Sequence, residues 1–287
     1  MTIAFLNGEY MPLSEAKISP MDRGFLFGDG IYEVIPVYGG NLFRFEQHIE
    51  RLNKNLDNIR IKKFYNLEQW SSICKQLIDY NGKGDLSLYL QISRGVAKRD
   101  HAFPGDNTKP GVFLMCNRLL PISDNLKLNG IHAVTLTDNR WSNCHIKSIS
   151  LLPNILSRQQ AVDAEAQEAI LLRNGIATEG AASNLFIVKN NVIKTPEKSS
   201  NLLPGITRDL IVEICHQNNI NLKETQINER DLISADEIWM TSSTKEILAV
   251  TNLNSQPVGT GKPGQMWGKV YQLYQMYKQS IRDKQLN

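Results

Sequence analysis

Cysteine is scarce: the 287 residues hold four, Cys74, Cys116, Cys144 and Cys215. None forms a Cys-x-x-Cys pair, which argues against a zinc site or a redox dithiol, and no metal is expected. Cys116 and Cys215 lie in apolar runs and read as inert packing. Long apolar runs are absent too, since no stretch reaches the roughly 18 residues that span a bilayer. Charge of one sign is in short supply. The net charge is +3 and no block of five or six like charges occurs, so neither a nucleic-acid surface nor a membrane partner is expected. The opening residues, MTIAFLNGEYMPLSEAK, lack the basic start and apolar core of a signal peptide, and a cytoplasmic protein is the expectation. Internal repeats and low-complexity segments are missing.

What is present suits two packed domains. NLFRFEQHIERLNKNLDNI carries Leu42, Phe45, Ile49, Leu52, Leu56 and Ile59 at spacings of three and four, which predicts an amphipathic helix. DLSLYLQISRG alternates Leu86, Leu88, Leu90 and Ile92 with smaller or polar residues, a half-buried strand. GVFLMC reads as a central strand, and NRLLPISDN after it is the candidate linker. The second part is richer in strands. AILLRNGIATEG predicts a hairpin about Asn174-Gly175, and NLFIVKNNVIKTP a second about Asn190-Asn191. DEIWMTSS is a strand running into a polar loop, and helices are predicted at LSRQQAVDAEAQ, at ITRDLIVEICHQ and near the C-terminus. The expected architecture is α+β in two domains, 1–118 and 119–287, with a site in the cleft between them.

Several stretches could hold a phosphate. In NLLPGITRDL, Pro204 and Gly205 precede a helix whose first turn contains Thr207. The glycine would let backbone approach a ligand, and unpaired first-turn N–H groups bind phosphate readily. Read alone, a plain capped helix is the simpler reading of this stretch. MTSSTKE offers Ser242, Ser243 and Thr244 after a strand, either an anion nest or an ordinary polar loop. Arg51 lies on the 42–59 helix off the apolar stripe, where a solvated arginine is the plainer reading.

HIKSISLLPN sets Lys147 among apolar residues. It is either a solvated lysine at a strand end or an amine kept for chemistry. Burial and a nearby cation lower a lysine's proton affinity, and the free amine then condenses with aldehydes. An aldehyde cofactor bearing a phosphate would be pyridoxal 5′-phosphate. Its pyridine nitrogen needs a carboxylate partner. Glu179, in ATEGAASNLFIV, is a candidate that could equally be a surface turn residue.

Five stretches in order, MDRGFLFGDGIYEV (21–34), LFRFEQHIERL (42–52), IKS about Lys147, EGAASNLF (179–186) and LPGITR (203–208), resemble the class-IV, or fold-type IV, pyridoxal-phosphate aminotransferases. That group includes branched-chain aminotransferases, D-amino acid aminotransferases and aminodeoxychorismate lyases. The resemblance runs along nearly the whole chain. It implies that Lys147 is the Schiff-base lysine and that Glu179 meets the pyridine nitrogen. It implies that Arg51, Ile206, Thr207, Ser242 and Ser243 hold the phosphate, that Leu203 lies against the ring, and that the protein is a homodimer.

SRGVAKRDHAFP (93–104) adds an Arg-x-His arrangement, Arg99 and His101. Arginine grips a carboxylate through two parallel hydrogen bonds, histidine adds a donor, and Tyr32 could add a third. This loop resembles that of the D-amino acid aminotransferases, where the matching residues bind the substrate α-carboxylate. The implied reaction exchanges an amino group between a D-amino acid (D-alanine or D-glutamate type) and a 2-oxo acid. An L-branched-chain aminotransferase and an aminodeoxychorismate lyase are the alternatives. Three places depart from the group's pattern: NCH before Lys147, Lys98 beside Arg99, and Ser243 where threonine is common.

Overall fold

Alternation and helical spacing place several of the chain's helices and strands before any long-range contact is considered. In the computed structural model, which describes residues 2–82 and 84–283, the contacts divide into two compact units. Unit 1 takes the described residues of Met1–Leu120, Ile146–Ser150 and Lys278–Asn287; unit 2 takes Pro121–His145 and Leu151–Tyr277. A single cut at 118/119 would leave two of the unit 1 segments on the other side.

Unit 1 is built from β1 (Ile3–Leu6), β2 (Glu9–Pro12), α1 (Arg23–Phe27), β3 (Gly30–Tyr38), β4 (Asn41–Leu42), α2 (Phe45–Asn58), α3 (Leu67–Asn81), β5 (Leu86–Ser93) and β6 (Gly111–Arg118). Its six-stranded sheet runs β2-β1-β6-β5-β3-β4, every pair antiparallel. Leu86, Leu88, Leu90 and Ile92 of β5 all point into the core, as their alternation requires. They pack with Ile49, Leu52 and Leu56 of α2 and with Trp70, Cys74, Leu77 and Ile78 of α3. A reciprocal capping box between Asn66 and Gln69 starts α3. α2 begins at Phe45 rather than Leu42, because Leu42 belongs to β4 and Arg44 caps the helix in the left-handed conformation.

β4 pairs only with Val37 and Tyr38, so the first half of β3 keeps an open edge. The segment 146–150 takes that edge. Tyr32 N–H donates to the Lys147 carbonyl at 3.0 Å, Ile149 N–H donates to the Gly30 carbonyl at 3.1 Å, and Ile31 bridges Ser148. Ile146 packs against the unit 1 core.

Unit 2 holds α4 (Asp124–Asn129), β7 (Ile131–Thr137), α5 (Leu152–Asp163), β8 (Glu168–Arg173), β9 (Ile176–Gly180), β10 (Asn184–Lys189), β11 (Val192–Thr195), α6 (Ile206–Gln217), β12 (Leu222–Glu224), α7 (Glu229–Ile233), β13 (Glu237–Ser242), β14 (Glu246–Leu253) and β15 (Gln256–Pro257). α8 (Gln265–Arg282) follows, its last residues counting with unit 1. The nine-stranded sheet runs β12-β11-β10-β13-β14-β7-β8-β9, with β15 on β14. It is mixed: β7 pairs parallel with β8 and β14, and β11 parallel with β12. Both hairpin turns use left-handed residues, Asn174 with Gly175 and Asn190 with Asn191, as their sequences predict. α6 spans ITRDLIVEICHQ as predicted. α5 starts earlier than the pattern suggests, because Pro153 suits a first turn, and it ends at Asp163 before left-handed Glu165. Among the described residues, no helix is long and apolar enough to cross a membrane.

Candidate active site

β3 alternates faces, and this decides what surrounds Lys147. Ile31, Glu33 and Ile35 face inward and are fully buried. Tyr32 faces the other way, its ring 5.7 Å from that of Tyr89. The backbone pairing of 146–150 with β3 brings the half-buried Lys147 side chain over Tyr32, with Nζ 4.2 Å from the ring centroid. Among the described residues no carboxylate lies within ion-pair distance of Nζ. The ring face attracts the amine, as a cation–π contact, without tying it to a counter-charge.

Behind β3 lies a buried ionic cluster. Arg51, on α2, donates Nε to Glu33 Oε1 at 2.8 Å and Nη2 to Glu33 Oε2 at 2.7 Å. His48 Nδ1 lies 2.8 Å from Glu33 Oε2. Burial raises the Glu33 carboxyl's proton affinity, but the Arg51 charge and the hydrogen bonds outweigh it and hold the carboxyl at about 2. Burial pushes His48 below its ordinary value against the pull of Glu33, and the charges of Arg51 and Lys147 push the same way. An ionised carboxylate can only accept, so Nδ1 of a neutral His48 carries the proton. Its buried Nε2 has no hydrogen-bond partner. Arg51 is therefore not the solvated arginine its place off the apolar stripe suggests. α2 also buries His48, Arg51 and Asn55 beside its leucines.

The Arg-x-His loop is exposed, and its backbone is held from below. Arg23 Nη1 and Nη2 donate to the carbonyls of Asp100, Ala102 and His101. Arg23 is itself paired with Asp29 at 2.8 Å, and Arg94 grips the same carboxylate at 2.7 and 2.9 Å. Burial raises the Asp29 carboxyl, yet the two arginines bring it below its ordinary value. The Arg99 guanidinium lies 5.4 Å from the Phe27 ring centroid, and the His101 ring 5.4 Å from the same ring. Phe27 thus aligns the two side chains. The structure does not bring either into contact with Tyr32 or Lys147 among the described residues.

In unit 2, Glu179 on β9 is buried. Its Oε1 accepts from Arg140 Nη1 at 2.5 Å; its Oε2 accepts from the Leu203 backbone N–H at 3.0 Å and from Asn184 Nδ2 at 3.2 Å. It is not the surface turn glutamate that its neighbours permit. Asn184 also donates to the Leu203 carbonyl at 2.8 Å, so one side chain ties β10, Glu179 and the 203 loop together. Gly205 is the N-cap of α6, and a Cβ there would meet Asn184 Oδ1 at 1.9 Å. The glycine is needed first for Asn184. Thr207 is buried in the first turn rather than at the cap, next to buried Ile206, and no side chain caps the helix. Ser242 ends β13, and its Oγ accepts from Lys245 N–H at 3.2 Å; Ser243 follows in the turn. Just before them the buried Thr241 hydroxyl has no partner.

Arg140 and Asn184 escaped the sequence reading as working residues. Asn184 lies inside EGAASNLF, so the motif contained it. Arg140 lies outside every motif; the charge looked for beside Lys147 in NCH stands seven residues earlier. A separate concavity of about 840 Å³ in unit 1, lined by Asn7, Tyr65, Gly95 and Lys109 among others, contains none of the expected site residues.

Residues 30–253 match the amino-transferase class IV family. The chain belongs to that family. Among relatives, it is 40% identical over 260 residues to a D-alanine aminotransferase of Bacillus licheniformis, covering 90% of each chain. It is 38% identical over 276 residues to a D-alanine aminotransferase of Staphylococcus aureus (strain COL), covering 96% of this chain and 98% of that one. Among solved structures, a branched-chain aminotransferase of the thermophilic archaeon Thermoproteus uzoniensis, with norvaline, has a TM-score of 0.88 at 25% identity, covering 99% of this chain and 97% of that one. That last likeness reflects the shared fold, a two-unit α+β class IV aminotransferase fold.

Proposed function

We propose that this class IV aminotransferase uses pyridoxal 5′-phosphate to exchange an amino group between a D-amino acid of the D-alanine or D-glutamate type and a 2-oxo acid. The observation that carries the reading is Lys147, an amine anchored to β3 through its own carbonyl and facing a tyrosine ring instead of a counter-charge. The D-alanine aminotransferases that match nearly the full chain support the choice of substrate.

The residues present fit the cofactor. Glu179 presents an ionisable carboxylate whose donors include Arg140, Asn184 and the Leu203 N–H, α6 begins without a side-chain cap, and the Thr241 hydroxyl is buried without a partner. In unit 1, Lys147 and Arg51 would hold it. In unit 2, Glu179 would meet the ring nitrogen, Leu203 the ring face, and Ile206, Thr207, Ser242 and Ser243 the phosphate. When bound, the cofactor supplies an aldehyde for the amino group and a protonated ring that draws off electrons from the α-carbon.

The chain's own residues do the rest. Lys147 Nζ takes the proton from the substrate α-carbon as general base and later returns a proton as general acid. Arg99 holds the α-carboxylate through two parallel N–H bonds, with His101 and the Tyr32 hydroxyl as further donors. A carboxylate fixed this way presents one face of the α-carbon to Lys147, and that selects the hand of the substrate. Each full cycle consumes one D-amino acid and one 2-oxo acid and returns the matching 2-oxo acid and a new D-amino acid.

The proposal includes a homodimer. Leu152, Ile155 and Leu156 of α5 are each more than half exposed, an apolar face that suits a second copy; sedimentation equilibrium at twice the chain mass is the expected result, and a monomer would refute it. It also includes a cytoplasmic setting, which four free, buried cysteines support; cell fractionation checks it. The donor assay tests the function itself. D-alanine with 2-oxoglutarate is expected to turn over and L-leucine to fail. Turnover with L-leucine alone would replace this reading with the branched-chain one, and pyruvate release from aminodeoxychorismate without an amino acceptor would replace it with the lyase.

A further inference from the structure

The carboxylate of Glu179 is held by a second charged group that is held in turn. The Arg140 side chain is buried, 5% exposed. One edge of its guanidinium lies against Asp138, with Nε to Oδ1 at 3.0 Å and Nη2 to Oδ2 at 3.0 Å. That fork leaves Nη1 aimed at Glu179 Oε1, 2.5 Å away. Asp138 is locked as well. Arg140 N–H donates to Oδ1 at 3.1 Å, Thr178 Oγ1 donates to Oδ2 at 3.0 Å, and Arg173 lies 3.2 Å from Oδ1. Arg140 Nη2 also reaches the Asn201 carbonyl at 3.3 Å. Arg173 clamps the start of the segment through the carbonyls of Arg140 and Trp141.

We propose that Arg140, clamped by Asp138, is a positioning residue that keeps Glu179 ionised and in one orientation, so that a protonated heteroaromatic nitrogen facing Glu179 retains its proton. The inference rests on the reading that Glu179 meets the cofactor's ring nitrogen. A carboxylate and a pyridine share one proton, and it stays on the stronger base. A guanidinium at hydrogen-bond distance weakens the carboxylate as a base, because the charge it stabilises is lost on protonation. Without Arg140, Asp138 would keep Arg173 and Thr178 as partners, but Glu179 would lose the cation at its Oε1, and the loss of an adjacent opposite charge raises a carboxylate's proton affinity. The proton would then pass to Glu179, and the ring would lose the positive charge that makes it an electron sink. The fork matters as much as the charge. A lysine offers a point charge and cannot hold Asp138 through two bonds while reaching Glu179.

The test uses the full-length holoenzyme loaded with ring-¹⁵N-labelled pyridoxal 5′-phosphate. The ¹⁵N resonance reads ring protonation directly, apart from turnover. Glu179→Gln is expected to move the resonance to the unprotonated range, which establishes the partner. Arg140→Gln is expected to move it in the same direction and to lower kcat roughly tenfold to a hundredfold with little change in KM, the scale seen when the group behind a working ligand is removed. Arg140→Lys is expected to restore the resonance but only part of kcat. A wild-type resonance in Arg140→Gln beside a shifted one in Glu179→Gln would overturn the inference and leave the proposed function standing. An unshifted Glu179→Gln would overturn the ring-nitrogen assignment and this inference with it. If Arg140→Gln does not fold, Arg140→Lys decides: wild-type kcat there would overturn the positioning role.

Discussion

Each unit buries a glutamate–arginine pair, Glu33 with Arg51 in unit 1 and Glu179 with Arg140 in unit 2, and the two pairs are reversed in their proposed purpose. In unit 1 the guanidinium of Arg51 is the group expected to meet the phosphate, and Glu33 holds it through two bonds at 2.8 and 2.7 Å. In unit 2 the carboxylate of Glu179 is the group expected to meet the ring, and Arg140 holds it at 2.5 Å. Glu33 is wholly enclosed by protein partners, with His48 as its third donor. Glu179 also accepts from a backbone N–H and from an asparagine that shapes the 203 loop. The same ion pair therefore serves two ends. What differs is which partner is braced from behind and which is presented.

Breaking the unit 1 pair has the largest expected effect on stability. Glu33→Gln leaves the Arg51 guanidinium buried without its counter-charge, and about 3 to 5 kcal/mol of unfolding free energy is expected to be lost. Urea unfolding of the two proteins checks it. The pH dependence has a defined sign. Glu33 titrates at about 2 in the folded chain against 4.5 when unperturbed, so its contribution is present above about pH 4.5 and fades as pH falls towards 2. Glu33→Gln is expected to flatten that part of the stability–pH curve; an unchanged acid slope would mean that Glu33 is not the group responsible.

The exposed loop sharpens the comparison from the other side, because its arginine has no carboxylate holder among the described residues. Arg99 rests on Phe27, and only its backbone neighbours are pinned, by Arg23. Arg99→Ala should therefore leave stability within about 0.5 kcal/mol of wild type, as for an ordinary surface change. It should raise KM for D-alanine roughly tenfold to a hundredfold, the loss of a charged hydrogen-bonded grip of about 1.5 to 3 kcal/mol. Steady-state kinetics reads this, and an unchanged KM would make the loop a bystander.

The comparison also marks what the sequence could reveal. Asn174-Gly175 and Asn190-Asn191 were legible as turns because the left-handed backbone they adopt is a local property. The α6 boundaries and the β5 alternation were legible for the same reason. Arg51 and Glu179 were legible as members of motifs, but their burial was not, because it depends on partners far along the chain. Glu33 lies 18 positions before Arg51, and Arg140 lies 39 before Glu179 in a stretch with no motif. The pairing of 146–150 with β3 was likewise hidden: nothing in HIKSISLLPN says that β4 is too short to cover the edge it fills.

Under the proposed function, Lys147 carries the chemistry. Adding pyridoxal 5′-phosphate to the wild-type chain and to Lys147→Ala, and following the visible absorption of the bound cofactor, tests it most directly. The wild type should develop the band of a lysine-linked cofactor and transaminate D-alanine. Lys147→Ala should show neither, while still binding the cofactor weakly through its phosphate and ring contacts. An unchanged band in Lys147→Ala would contradict the account, because another amine would then be the one that reacts.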